Sequence, residues 1–127
     1  MKFLTDIKSR NDIEKLIAAF YEKMLDDMVL GYIFTDISKV NLEVHLPVIC
    51  DFWENILFNK PTYKRRTEVI GVHLELNKKI QLKKGHFRRW LYLFHSTIDD
   101  LYDGTLATKA KKRADSIALI MQKKLSL

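Results

Sequence analysis

The side chains in this sequence that could do chemistry are few: His45, His73, His86, His95, the single cysteine Cys50, and two aromatics with polar tips, Tyr21 and Trp90. No two histidines stand three or four residues apart, so no helix face carries a His-x-x-x-His metal pair. One cysteine and no Cys-x-x-Cys exclude the usual structural zinc and iron–sulfur arrangements. Phosphate-binding glycine loops, the dinucleotide fingerprint and the nucleophile elbow are likewise missing. Cys50 with a distant histidine would make a nucleophile–base pair. Its place beside Ile49 in an apolar helical stretch favours a small buried thiol instead.

His73 differs from the other three. It sits on a short apolar piece, Val69-Ile70-Gly71-Val72-His73-Leu74, between two polar loops. That piece is too short to hold a helix unaided. An iron ligated by the imidazole would anchor it; so would a backbone carbonyl satisfying a core histidine, and periodicity alone favours the second. His45, Tyr21 and Trp90 fall on inner helix faces by their spacing. Buried, each wants a partner, because an unpaired buried polar group costs about 1–3 kcal/mol. Their convergence in an apolar helical core describes a ligand pocket with a few polar atoms. Half-exposed amphipathic positions are the alternative.

The elements that must position these groups read as helices throughout. Ile13, Leu16, Ile17, Phe20, Tyr21 and Met24 form one amphipathic stripe, with Asn11 and Glu14 as its expected capping box and Gly31 closing the unit before the corner Tyr32-Ile33-Phe34. A second stripe runs His45, Ile49, Phe52, Trp53, Ile56, Leu57. Pro47 is tolerated in a first turn, which sets the start of this helix between Asn41 and Leu46. Residues 59–66 and 77–85 read as loops. Phe87, Trp90, Leu91, Phe94, Ile98 and Leu101 make the clearest helix, ending near Asp103-Gly104. The last begins at Thr105 or Leu106 and carries Ala110, Ala114, Ile117, Ala118 and Met121 inward. Strand alternation and hairpin turns are lacking, so the class is all-α.

Composition sets the frame. The chain has 127 residues, the size of one domain, here residues 1–127, and 47% of them are hydrophobic. No apolar run approaches a membrane span, no signal peptide opens the sequence, and the lone cysteine suits a reducing compartment, so a cytoplasmic protein is expected. Twenty-two Lys and Arg against sixteen Asp and Glu give a net charge of +6. The basic clusters are scattered and not interleaved with aromatics, which favours a solvated basic surface over nucleic-acid binding.

In order and spacing, several pieces match one family: Phe20-Tyr21-Glu22-Lys23, Leu30-Gly31-Tyr32-Ile33-Phe34, His45-Leu46-Pro47 followed by Phe52-Trp53, Val72-His73-Leu74, and Phe87-x-x-Trp90-Leu91-x-x-Phe94. With them, the chain from about residue 10 to 122 resembles the group III truncated haemoglobins, bacterial globins with a two-over-two helical sandwich. The family lacks the Gly-Gly hinges of other truncated globins, and none occurs here. The resemblance implies a haem b held by His73 as proximal iron ligand. It implies Tyr21 and Trp90 as distal hydrogen-bond donors, His45 as a distal gate, Ile49 and Phe52 as the apolar distal wall, and Phe34, Phe94 and Ile98 packed on the porphyrin. Tyr63, Lys64, Arg65 and Arg66 are the candidates to pair with a propionate, with solvated loop charges the alternative for each. It further implies binding of O2, NO and CO, and handling of reactive nitrogen or oxygen species more than oxygen transport. Any nitric oxide dioxygenase-like or peroxidase-like turnover would then need an external electron-donating reductase, since the chain has no room for a flavin domain. Ligand storage or sensing without turnover is the alternative. A monomer is expected, because no long apolar face remains once the helices surround a haem.

Overall fold

The computed structural model describes residues 3–33, 42–60 and 81–127. Among them are four α-helices and no strand: α1 (Arg10–Asp26), α2 (Leu42–Phe58), α3 (Lys84–Leu101) and α4 (Thr105–Lys124). None is long and apolar enough to cross a membrane.

The stripe expected of α1 is the one buried: Ile13, Leu16, Ile17, Phe20, Tyr21 and Met24. Its cap lies two residues earlier than the sequence suggested. Ser9 is the N-cap, its hydroxyl accepting from the Asp12 backbone N–H, and Asn11 is inside the helix. Asp12 returns a bond from the Lys8 N–H, a variant of the reciprocal capping box. Asp26 ends the helix, before Gly31. Gly31 serves a different purpose: a Cβ there would stand 2.6 Å from the Leu25 carbonyl oxygen, so only glycine lets the next turn fold back this closely.

Helix α2 starts inside the expected window, but Pro47 sits a turn deeper than the first turn. The helix therefore forgoes one backbone bond there. Arg10 lies over this point: its guanidinium donates to the Pro47 carbonyl and pairs with Asp51 and the buried Glu54, fastening α2 to the start of α1. At the other end of α1, Tyr21 meets His45. The two helices thus run antiparallel with a polar tie at each end.

Helices α3 and α4 form a second antiparallel pair, tied by His95 to Asp115 at 2.8 Å and by Lys111 to Asp99 at 2.7 Å. Helix α4 turns a row of alanines inward (Ala107, Ala110, Ala114, Ala118), which lets its backbone approach the core closely. Gly104 precedes it with φ 153°, a conformation only glycine holds without strain, and a Cβ there would collide with Asp6. The Asp6 carboxylate needs that space: it accepts the Leu106 and Ala107 N–H groups and so caps α4 from the N-terminal segment. Burial works to raise the pKa of Asp6, but these backbone donors outweigh it and hold the carboxyl below its ordinary value.

The pairs are layered, α1 over α3 and α2 over α4. Phe94 is the hub between them. Its ring is fully enclosed, stacked on Trp53 of α2 at 5.0 Å and on Trp90 of its own helix at 5.6 Å, with Phe20 of α1 edge-on at 5.0 Å.

Candidate functional site

Three of the expected site residues come together across the two layers. Tyr21 is 7% exposed on the inner face of α1, and its hydroxyl lies 2.9 Å from Nε2 of His45 in the first turn of α2. Their rings meet edge to face at 5.7 Å. Trp90 projects from α3 onto the same region, with Phe20, the neighbour of Tyr21, packed edge-on against it at 5.8 Å. Burial pushes the Tyr21 phenol's pKa well above its ordinary value, so the group stays protonated and can donate.

Either tautomer of His45 satisfies the contact. With the proton on Nδ1, the phenol donates to Nε2. With the proton on Nε2, the imidazole donates to the phenol oxygen, and the phenolic hydrogen is left for another acceptor. Trp90 is half-buried, and among the described residues its indole N–H has no hydrogen-bond partner. A donor in such a place is available to a bound acceptor.

Around these donors runs a row of large apolar side chains that the protein covers only in part. Leu46, Ile49, Phe52, Ile56, Trp90 and Leu91 pack against the core yet keep exposed surface, whereas Trp53, Leu57 and Phe94 behind them are buried. A half-covered apolar wall beside donor groups fits a flat apolar group carrying a polar centre, and haem is such a group. Ile49 and Phe52 are among these partly covered side chains. Phe94 and Ile98, expected against the porphyrin, are both 0% exposed, so within the described residues they form the layer that backs the wall. Phe34, Tyr63, Arg66 and His73 lie outside the described residues.

The remaining reactive groups have structural employment. His86 accepts from the Lys83 N–H through Nδ1 at 2.9 Å, capping α3, and burial lowers its pKa. His95 pairs with Asp115. Cys50 is a buried free thiol whose pKa burial pushes up to about 11, the reverse of an activated nucleophile. Among the described residues no group of three or more His, Cys, Asp or Glu could hold a metal ion.

Sequence reasoning missed two positioning groups. Asp27, its side chain only 3% exposed, accepts from Arg89 and from the Val29 and Leu30 N–H groups, fixing the corner after α1 to the helix that carries Trp90. Arg10 does the same for the helix that carries His45. The one available signal was weak: an aspartate just past a helix end, two and three residues before the amides it caps.

No protein-family model matches the chain. Among curated proteins, it is 30% identical over 121 residues to the Group 3 truncated hemoglobin ctb of Campylobacter jejuni, an alignment spanning 93% of this chain and 90% of the relative. Among solved structures, it aligns with the crystal structure of group III truncated hemoglobin from Campylobacter jejuni at a TM-score of 0.81 and 27% identity, over 98% of this chain and 95% of the other. The four helices, the Tyr21–His45 contact and a relative of that identity across nearly the whole length converge on one statement: the chain belongs to the group III truncated haemoglobins.

Proposed function

We propose that the chain is a single-domain globin that binds haem b through His73 and receives O2 or NO at the ferrous iron. On this reading it handles reactive nitrogen or oxygen species, using electrons from a separate reductase. The observation that carries it is the buried Tyr21 hydroxyl, 2.9 Å from His45 and beside an indole N–H with no partner among the described residues. Haem supplies a redox-active iron that binds diatomic ligands.

The chain's own residues do the rest. Tyr21 and Trp90 present hydrogens toward a partly anionic ligand. Donors already aimed in a water-poor apolar site stabilise such charge without reorganising. His45 chooses, by its tautomer, whether the Tyr21 hydrogen is spent on Nε2 or offered to the ligand. Ile49 and Phe52 exclude water, and Phe34 packs on the porphyrin. Phe94 supports Trp90 from behind, and Ile98 lies in the same buried layer. Tyr63 and Arg66 are the proposed partners of the propionates. His45, His86 and His95 each have a partner within the protein, which supports His73 as the iron ligand. Tight donation by two groups slows ligand release, which suits reaction on the bound gas better than carriage.

The test is the ultraviolet–visible spectrum of the protein beside His73→Ala. An intense Soret band at one haem per chain, shifted by carbon monoxide after reduction and lost or altered in the variant, is expected. Absence of haem uptake by the unmodified chain overturns the proposal. An identical Soret band in both proteins keeps the haem and moves the ligand to another histidine.

A further inference from the structure

Among the described residues, ion pairing divides the cations into two sets. Arg10, Lys23, Arg89 and Lys111 each hold a carboxylate, and all four tie one helix to another or stiffen one. The outward side of the α3–α4 pair is different. Lys112, Ser116, Leu119, Ile120 and Lys123 are spaced four, seven, eight and eleven residues from the first, so they share one face of α4, opposite its buried alanines. Arg113 lies on the same side. None of these cations forms an ion pair among the described residues.

The bridges from His95 to Asp115 and from Asp99 to Lys111 fix the register between the helices. One turn back along α3 and one turn on along α4, that register sets Tyr92 beside Leu119. A further turn back along α3 sets Arg88 toward the end of α4 that carries Lys123. Tyr92 is 62% exposed, Leu119 54% and Ile120 48%. The Arg89 guanidinium lies over the Tyr92 ring at 5.0 Å, a cation–π contact that restrains it. Asp115, one turn before Leu119 on α4, is already held by His95. The result is a small aromatic and aliphatic centre inside a rim of uncommitted positive charge.

That is the anatomy of a transient protein interface: an apolar centre carrying an aromatic, bordered by charge that steers the encounter. We propose that this face docks an acidic protein, the electron carrier that the proposed function requires, so the inference rests on that reading. A haem held by the protein would accept one electron from the reduced carrier, which would be left oxidised by one electron. A membrane surface fits less well, because α4 commits its apolar side to the core and offers only two aliphatic side chains outward, whereas an interfacial helix buries a whole apolar face. The alanine row also matters. It seats the patch about one helix diameter, roughly 10–12 Å, from the core aromatics.

The test uses a bacterial flavodoxin, an acidic flavin carrier, as the probe. Its oxidised form is titrated against the intact protein and against Lys112→Glu/Arg113→Glu/Lys123→Glu, with affinity read by biolayer interferometry between 20 and 200 mM salt as stated conditions. The charge reversal is expected to weaken binding at least tenfold at low salt and to flatten the salt dependence. Leu119→Ser/Ile120→Ser is expected to weaken it several-fold at every salt concentration. All five positions are exposed, so circular dichroism should stay unchanged. Anaerobic stopped-flow with the reduced carrier is expected to show the same order in the rate of haem reduction, while reduction by dithionite stays constant. Equal flavodoxin affinity in the charge-reversed variant overturns the proposal. So does binding to vesicles of phosphatidylglycerol and phosphatidylcholine that the variant loses while flavodoxin affinity is unchanged. A missing Soret band refutes the haem reading and leaves the affinity series still interpretable, so the two failures are separate.

Discussion

Replacing Tyr21 by phenylalanine isolates the chemistry proposed for the pocket, because it removes one oxygen and nothing else. The ring keeps its edge contact with Phe20 at 5.7 Å and its place on α1, so no cavity forms. Among the described residues, the hydrogen bond lost in the unliganded protein is the one shared with His45 Nε2. Its net value is about 0.5–1.5 kcal/mol. With ligand bound, the lost interaction is a hydrogen bond to a partly charged acceptor, worth about 1.5–3 kcal/mol. Part of that gain already goes to giving up the His45 contact, which places the net effect toward the lower end. At about 1.4 kcal/mol per tenfold, the oxygen off-rate should rise roughly tenfold or more. The assay is stopped-flow displacement of oxygen by carbon monoxide from the reduced protein, with urea unfolding measured alongside. An off-rate within experimental error of the parent, with the Soret band intact, refutes the assignment of Tyr21 as donor. His45→Ala supplies the second arm. Because Tyr21 and His45 share one hydrogen bond, their effects on off-rate should be non-additive in the double variant, and simple additivity would show that His45 does not govern the phenol.

Two further outcomes follow from the polar ties. Asp27→Ala should lower stability by about 1–3 kcal/mol in urea unfolding, since it orphans two amides and the Arg89 partner. The Arg89 hydrogen bond holds the Asp27 carboxyl below its ordinary pKa, so its contribution is complete above the unfolded value of about 3.9 and is lost as pH falls through the folded one. His86 carries the opposite charge change but the same sign of slope. Burial lowers its folded pKa, so the unfolded chain binds the proton more readily, and stability present above about pH 6.5 falls as the medium is acidified. Thermal melts between pH 8 and 5, as stated conditions, should show that slope in the parent and a flatter one in His86→Gln.

What the sequence made legible follows the range of each interaction. Period and cap are local, so the buried stripe of α1 was readable residue by residue, and the cap was displaced by only two positions. Ser9 and Asn11 both suit a cap; Asp12, three residues after Ser9, decided between them. In α3 the period alone gave the wrong depth for four residues. Leu93 and Thr97 are buried while Trp90 and Leu91 keep exposed surface. An amphipathic stripe marks which side faces inward, and the packing of two neighbouring helices then decides how far each position sinks. The ion pairs that Arg10 makes with Asp51 and Glu54, and Asp27 with Arg89, had no local signature. Arg10 reaches residues 41 and 44 positions away, and Arg89 lies 62 positions from Asp27.

The same argument explains why the pocket could be named but not built from the residues. Tyr21 and His45 stand 24 positions apart on different helices, and each alone reads as an amphipathic side chain. What makes them one unit is that α1 and α2 are tied at two separated points, by Arg10 to Asp51 and Glu54 and by the phenol to the imidazole. A shift at the Arg10 end must move His45 relative to Tyr21, because both ties act on the same rigid helix. The donor geometry is therefore held from outside the pocket, by a guanidinium that no ligand would touch. Phe94 plays the matching part on α3: wholly enclosed between Trp53 and Trp90, it fixes the plane of the Trp90 indole. Residue types and their order were enough to suggest what the site binds. Its precision comes from Arg10, Asp27 and Phe94, whose roles exist only once the helices have packed.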